Sequence, residues 1–563
     1  NGRHLKMRLY GLVTLEWEEE PFQWIRNREL GVVRHYMSGP VEKMRVQVEL
    51  VPLPQSGTVI SYSVWATPRN LLGYAAIPVQ IGLLSARTFR KTIAQYDKLA
   101  LLEQSAPLAS RTQLAPKARA RLDTIRSRLA EANQPPALVD RLIDYVTRAD
   151  EYVVAEIRPF QLADEWNLPR EPMLKLCLQA VRASLLDFEW QVLCPHCRNA
   201  GDNVHASLDE LTTDVYCNSC RIDFKANFHQ SVEMTFKPNA AIREVMRVAF
   251  CVGGPQTTPH ILAQQRISAQ KSVTLSLSLE NGRYQLRSDG FSDTVSFWVS
   301  DDGVLKQTNI TAQPAGWQIS EPLLSNDITV TLSNQTEQPQ LFILEQMAWH
   351  DSAVTASQVT MLQTFRDLFA SEALRPGEQF AVGSVAILFT DLVDSTRLYN
   401  DIGDAPAFGL VLNHFDVLRD RIEAEDGAII KTIGDAVMAI FRHPAAAIRA
   451  LAQAQSTLAN PPQGQRPLYL KGALNLGPSI SVNLNGRLDY FGSTVNMAAR
   501  LEKFSGANKI VISDEVYQDP EVQQFLEQSG FGTEQFEAEL KGFDNGRFTL
   551  WCIQTRQEER ALA

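Results

Sequence analysis

Val385-Ala386-Ile387-Leu388-Phe389-Thr390-Asp391 is an almost unbroken apolar run that closes on a carboxylate. That is the pattern of a strand buried on both faces that carries a charged group to its end. Asp394-Ser395-Thr396 beyond it offers helix-starting side chains. A second apolar element, Ala428-Ile429-Ile430-Lys431-Thr432-Ile433-Gly434-Asp435-Ala436-Val437-Met438-Ala439-Ile440-Phe441, turns at Gly434-Asp435. It reads as a hairpin whose tip presents another carboxylate. Two carboxylates at the ends of neighbouring strands suit two Mg²⁺ ions about 3.5 to 4 Å apart that bridge a phosphoryl group. For either aspartate alone, capping a turn is the simpler role.

A third element decides between these readings. Asp489-Tyr490-Phe491-Gly492 leads into Thr494-Val495-Asn496-Met497-Ala498-Ala499-Arg500-Leu501-Glu502, a helix in which Asn496 and Arg500, four apart, share one face. Taken together, Ser384 to Gln557 closely resembles the catalytic domain of class III nucleotidyl cyclases, the adenylate and guanylate cyclases. The resemblance implies a ferredoxin-like fold and a role for each residue. Asp391 and Asp435 would bind two Mg²⁺ or Mn²⁺ ions, with the backbone carbonyl of Leu392 as a further ligand. Lys431 and Asp489 would select the base, Asn496 would orient the ribose and Arg500 would stabilise charge in the transition state. Lys541, in Glu539-Leu540-Lys541-Gly542, would bind the triphosphate. Asp394 departs from the family pattern, being acidic where many relatives carry a small or neutral residue, and a third carboxylate there would perturb the metal site.

Base choice can be argued from hydrogen bonding. Adenine offers an acceptor at N1 and a donor at its amine, so a Lys donor and an Asp acceptor satisfy both edges. Guanine reverses the pattern, and each mismatch in a buried site costs on the order of 1 to 3 kcal/mol. The expected reaction is therefore conversion of ATP to 3′,5′-cyclic AMP and pyrophosphate. The alternatives are a cyclase for GTP or a pyrimidine triphosphate, and a silent scaffold that retains only the fold. Lys431 and Asp435 are at most about 13 Å apart along a strand and are aimed apart by the turn. One nucleotide would not use both, and the family resemblance implies a homodimer with two composite sites.

The rest of the chain is less specific. Its 563 residues predict several domains. With 45% hydrophobic and 21% charged residues, the composition is that of a globular protein. A net charge of -10 argues against a nucleic-acid partner. No apolar stretch reaches the length of a transmembrane helix. The domains expected are 1-105, a START-like (SRPBCC) helix-grip fold; 106-190, helical and winged-helix-like; 191-230, a zinc ribbon; 231-351, a β-sandwich; 352-380, a helical connector; and 381-557, the cyclase domain. An α+β multidomain chain results.

In the first of these, Met44, Val46, Val48 and Leu50 alternate with polar residues ahead of an amphipathic segment from Leu83. Trp17, Trp24, Tyr36 and Trp65 are candidate walls for an apolar small-molecule ligand, or simply core. Phe160 to Pro169 looks like a helix-turn-helix, yet Arg158 to Phe228 holds seven basic against ten acidic residues, the wrong sign for phosphate contact. Cys194-Pro195-His196-Cys197 and Cys217-Asn218-Ser219-Cys220, separated by 19 residues, have the spacing of a closed four-thiolate structural Zn²⁺ site. Unpaired Cys177, Cys251 and Cys552 fit a reducing, cytoplasmic location. The chain opens at Asn1, without an initiator Met or a signal segment, so the true start is expected to be missing or processed.

From Ser272 to Ile343 alternation returns, with hairpin turns expected at Asn281-Gly282, Asp289-Gly290 and Asp302-Gly303. Val359, Leu362, Phe365 and Phe369 recur at helical spacing, a stripe able to pair with a second copy. The Arg375-Pro376-Gly377-Glu378 break, with Gly253-Gly254-Pro255 and Thr258-Pro259-His260, resembles bacterial multidomain adenylate cyclases that carry an uncharacterised regulatory region.

Overall fold

The computed structural model describes residues 3-9, 13-54, 57-101, 114-195, 198-218, 222-245, 258, 260-288, 294-314, 316-319, 323-347, 353-540 and 547-555. They form two compact units, Asn1–Arg111 with Arg247–Ser352, and Thr112–Met246 with Ala353–Ala563. Among the described residues no helix is long and apolar enough to cross a membrane.

The first unit corrects the expected boundaries. The N-terminal strands Val13–Glu19, Glu29–Tyr36, Val41–Pro52 and Thr58–Pro68 pair antiparallel as alternation predicts. The short Gln23–Ile25 strand, however, pairs with Ile261–Ile267 through Ala263↔Ile25 and Gln264↔Trp24. One 14-stranded sheet therefore runs through both segments, and residues 1-105 and 231-351 are not separate domains. Buried Gln264 locks the junction by donating to Phe22 O at 2.7 Å. The helix is not gripped either. Leu71 and Tyr74 of Leu71–Ile77 are 88% and 70% exposed, and Ala86–Leu101 meets the sheet through Phe89 against Tyr62, ring centroids 4.5 Å apart.

The tryptophans do not converge. Trp24 is buried with Phe22, Val32, Ile261 and Ile343, Trp17 packs on Tyr36, and Trp65 is exposed beneath the Arg45 guanidinium. A cavity of about 320 Å³ touches Trp24, Leu30, Val48 and Leu50.

Leu275, Leu277 and Leu279 are buried in alternation with exposed neighbours. Asn281-Gly282 and Asp302-Gly303 are not hairpin turns, because the strands they join pair elsewhere, Lys271–Ser278 with Leu323–Asn334 and Gly282–Ser288 with Val295–Val299. Asp289-Gly290 lies outside the described residues.

In the second unit, Pro159–Trp166 and Arg170–Arg182 are joined through Asn167 in the left-handed region, φ 55°. Met173, Leu174, Leu176, Cys177, Leu178 and Ala180 of the second helix are all buried. Strand Leu186–Val192 lies between Val232–Pro238 and Val204–His205. Cys194 and Cys217 are buried together against Ile222 and Phe224, whereas Cys197 and Cys220 lie outside the described residues.

The connector is two short helices, Ala356–Thr360, closed by a Thr355/Gln358 capping box, and Gln363–Leu368. Its stripe does not await a second copy. Val359, Leu362 and Phe365 are buried in one core with Leu174, Leu178 and Trp190 of the same chain, and Phe365 meets Trp190 edge-on at 6.0 Å.

The C-terminal part is an eight-stranded sheet in the order Ala428–Ile433, Ala436–Phe441, Gln379–Leu392, Leu470–Leu484, Lys509–Ser513, Arg547–Gln554, Gly532–Glu539, with Arg487–Phe491 paired to Leu470–Leu484. Helices Asp404–Ala424 and Pro444–Ala459 cover one face through Val411, Leu418, Ile448 and Leu451.

Candidate active site

Strand Gln379–Leu392 is central and buried along Val385 to Thr390, so Asp391 emerges where the sheet meets solvent. The Ala428–Ile433 and Ala436–Phe441 strands form the expected hairpin, and Gly434, at φ +66°, supplies the left-handed turn. Asp435 follows at the tip. The two carboxylates are close enough for the charge of Asp435 to act on Asp391. Burial raises the Asp391 carboxyl above the ordinary carboxylate range; Lys471 opposes this and Asp435 reinforces it. Asp435 Oδ2 is buried and has no hydrogen-bond partner among the described residues. An orphaned carboxylate oxygen beside a second carboxylate fits a divalent cation. Among the described residues no third Asp, Glu, His or Cys joins them, so the remaining ligands would be backbone, water or phosphate oxygens. Leu392 is buried opposite Leu470.

One residue in this cluster was not anticipated. Lys471, directly opposite Asp391 across the strand pair, places Nζ 2.9 Å from Asp391 and 2.6 Å from Glu502. The signal available was the lone lysine in Leu468-Tyr469-Leu470-Lys471-Gly472-Ala473-Leu474, a charge inside an apolar strand.

A second cluster brings together Lys431 and Asp489, the two residues expected to read the base. Lys431 Nζ donates to Asp489 Oδ2 at 2.6 Å, with Lys431 one-third exposed and Asp489 nearly buried. Asp489 Oδ1 also accepts from Tyr490 N at 2.7 Å, which fixes the carboxylate plane. The register slips between Ile429 and Lys431, so Ile430 is an extra residue, and this bulge re-aims Lys431.

Helix Ser493–Leu501 packs on the sheet through Val495, Ala498 and Leu501. Asn496 faces solvent and Arg500 is half-buried one turn away. The Ser395–Ile402 helix starts where expected, with Asp394 at its N-cap position, but Asp394 lies at φ 55° and its side chain makes no cap hydrogen bond. Lys541 lies outside the described residues.

Residues 378-555 match the family model described as the adenylate and guanylate cyclase catalytic domain. Residues 119-250 match a family of unknown function, DUF5939, which spans both the helical segment and the cysteine region. An uncharacterised protein of Mycobacterium tuberculosis is 31% identical over 135 residues, 24% of this chain and 34% of that protein. The guanylate cyclase soluble subunit beta-2 of Homo sapiens is 28% identical over 242 residues, 40% of this chain and 37% of that one. An adenylate cyclase of Lachancea kluyveri is 27% identical over 180 residues, 28% of this chain and 10% of that one. The chain thus spans well under half of these relatives' lengths. The adenylyl cyclase CyaB from P. aeruginosa aligns at 22% identity and a TM-score of 0.27, over 33% of this chain and 100% of that structure. Residues 378-555 are an adenylate/guanylate cyclase catalytic domain.

Proposed function

We propose that this protein is an adenylate cyclase that forms cyclic AMP and pyrophosphate from ATP at a homodimer interface, with its upstream modules regulating the reaction. The observation that carries the base assignment is the 2.6 Å Lys431–Asp489 pair. A fixed ammonium donor beside a fixed carboxylate acceptor complements N1 and the amine of adenine, and opposes the edge of guanine.

Asp391 and Asp435 would hold two divalent cations, with Leu392 O as a further ligand. When bound, those ions lower the pKa of the ribose 3′-hydroxyl and neutralise the departing pyrophosphate. In the reaction the 3′-hydroxyl would give its proton to solvent water and its oxygen would bond to the α-phosphorus, as the bond from that phosphorus to the oxygen bridging to the β-phosphate breaks and its electron pair leaves with pyrophosphate. Lys431 and Asp489 hold the purine, Asn496 sets the ribose, and Arg500 faces the charge that grows on the α-phosphate oxygens. Lys471 and Lys541 would face the triphosphate.

Asp391 and Asp435 of one protomer would meet Lys431, Asp489, Asn496 and Arg500 of the other. Apolar residues beside these groups support a second copy: Ile433 is 56% and Phe491 59% exposed. The four cysteines of 194-220 would bind one structural Zn²⁺, and the cavity beside Trp24 would take an apolar ligand.

Incubating the purified chain with each of the four nucleoside triphosphates and Mg²⁺ or Mn²⁺, then analysing products by mass spectrometry, tests this reading. Cyclic AMP is expected to predominate by at least a factor of ten. A GTP preference would overturn the use of Lys431 and Asp489, and no cyclic nucleotide with either metal would leave the scaffold reading.

A further inference from the structure

We infer that the connector helices set the geometry of the base-reading pair, with Gln363 as the positioning residue for Lys431 and Arg366 as the positioning residue for Asp489. The inference rests on the reading of Lys431 and Asp489 given above.

The bulge that aims Lys431 costs its strand a ladder hydrogen bond. The connector holds the residue beside the bulge: Ile429 N donates to Gln363 Oε1 at 2.8 Å. Gln363 is 5% exposed, and its amide is oriented because Nε2 donates to Asp367 Oδ1 at 2.8 Å. Its oxygen is thus held toward the backbone two residues before Lys431.

On the neighbouring strand the connector grips both sides of Asp489. Arg366 Nη2 donates to Leu488 O at 2.7 Å, and Tyr490 Oη donates to Thr360 Oγ1 at 2.9 Å. Arg366 Nη1 is itself tied back to Thr360 O at 3.4 Å. Two adjoining turns of the connector therefore hold the backbone before Lys431 and the backbone on either side of Asp489. Apolar contact between the connector and those strands comes from Met361, which shares a cluster with Ala428 and Tyr490.

The opposite side of the same helices is packed into residues 119-250, through Phe365 against Trp190 and Val359 in the core with Leu174 and Leu178. The helix that carries Leu174 also places Lys175 Nζ 2.9 Å from Asp426, in the turn that starts the Lys431 strand. A displacement of residues 119-250 thus reaches the purine-reading groups through the connector and through Asp426, whereas Thr213 and Phe228 hold only the start of the Asp391 strand, at Glu378 and Ala381. The consequence is control of base affinity and selectivity rather than of metal binding. Misplacing a positioned group by about 1 Å is enough to cost up to roughly a hundredfold.

The test uses the full chain as wild type, R366M, Q363M and K431A, and measures kcat and KM for ATP and for GTP together with Tm. The expected result for R366M is a KM for ATP raised about tenfold, an ATP-over-GTP preference lowered about tenfold toward that of K431A, and kcat for ATP within about threefold of wild type. If K431A shifts the preference and R366M lowers only Tm, Arg366 merely packs and the inference falls while the base assignment stands. If K431A itself leaves the preference unchanged, the base assignment falls and the inference with it. Should R366M not fold, Q363M, which leaves the Leu488 contact in place, decides by the same two criteria.

Discussion

Lys471 Nζ sits between two carboxylates, 2.9 Å from Asp391 and 2.6 Å from Glu502. An ammonium thus occupies the mouth of the site that the cyclase reading gives to divalent cations. It counters the rise in the Asp391 pKa that burial and Asp435 impose.

Replacing Lys471 with Met removes the counter-charge that Asp391 and Glu502 share, and leaves Asp391 with Asp435 alone beside it. K471M is expected to melt several degrees lower than wild type in EDTA, and to regain most of that loss when Mn²⁺ is added. The Mn²⁺-induced rise in Tm should therefore exceed that of wild type. With its triphosphate contact gone, kcat/KM for ATP should fall by about tenfold or more. Thermal melts with and without Mn²⁺ check the first effect; an equal metal response in both proteins would remove Lys471 from the metal site.

The Lys431–Asp489 pair predicts a reversal. Guanine presents a donor at N1 and an acceptor at O6. K431E supplies the acceptor, and D489N supplies an amide donor. Each single variant should lose about 10- to 100-fold in kcat/KM for ATP. The double variant should turn over GTP better than ATP, and a double-mutant cycle should show strong coupling between the two positions. Independent, additive losses with ATP still preferred would mean that the pair is a surface ion pair with no hold on the base.

How much of this was legible follows from sequence distance. Asp391, the Gly434-Asp435 tip and the Asn496/Arg500 face are each written within a dozen residues, and periodicity with turn chemistry places them. Lys471 was missed because its importance comes from cross-strand register with Asp391, 80 residues earlier, and no local pattern encodes register. The junction of Trp24 and Ile25 with Ala263 and Gln264 is the same kind of fact at larger separation. A three-residue strand carries too little periodicity to announce its partner. The connector stripe is apolar as its spacing predicts, and it is covered by Leu174, Leu178 and Trp190 of the same chain rather than by a second copy, because amphipathicity says that a face is covered and not by what.

The cysteine region makes a metal-removal prediction. Cys194 and Cys217 are buried together, and the chain between and just after them docks on the start of the central strand, Gln379–Leu392. Thr213 Oγ1 donates to Glu378 at 2.6 Å and Phe228 N donates to Ala381 O at 2.9 Å. Elemental analysis should find one zinc per chain. Because a closed thiolate site contributes folding free energy outright, stripping it with a chelator should lower Tm and cut cyclase activity together. Protein free of zinc with unchanged melting would dispose of the site.

Glu171 predicts a pH dependence. It stands beside Asp426, in the turn that begins the Lys431 strand. Burial first, then a shared hydrogen bond with Asp426 and its charge, push the Glu171 carboxyl up to about 7, against the pull of Lys175 and Arg442. An acid whose folded pKa exceeds its unfolded value holds more protons folded than unfolded between those two values. Stability therefore falls as pH rises through the window from about 4.5 to about 7. Lys175 bridges to Asp426 at 2.9 Å and absorbs part of the repulsion, so the loss should be about 1 to 2 kcal/mol rather than the full linkage value. E171Q keeps a hydrogen-bond donor toward Asp426 and has no proton to lose. It should match wild type at pH 5 and melt a few degrees higher at pH 8. A Tm difference between the two proteins that stays constant from pH 5 to pH 8 would show that Glu171 is already ionised throughout, and that Lys175 and Arg442, not burial, govern it.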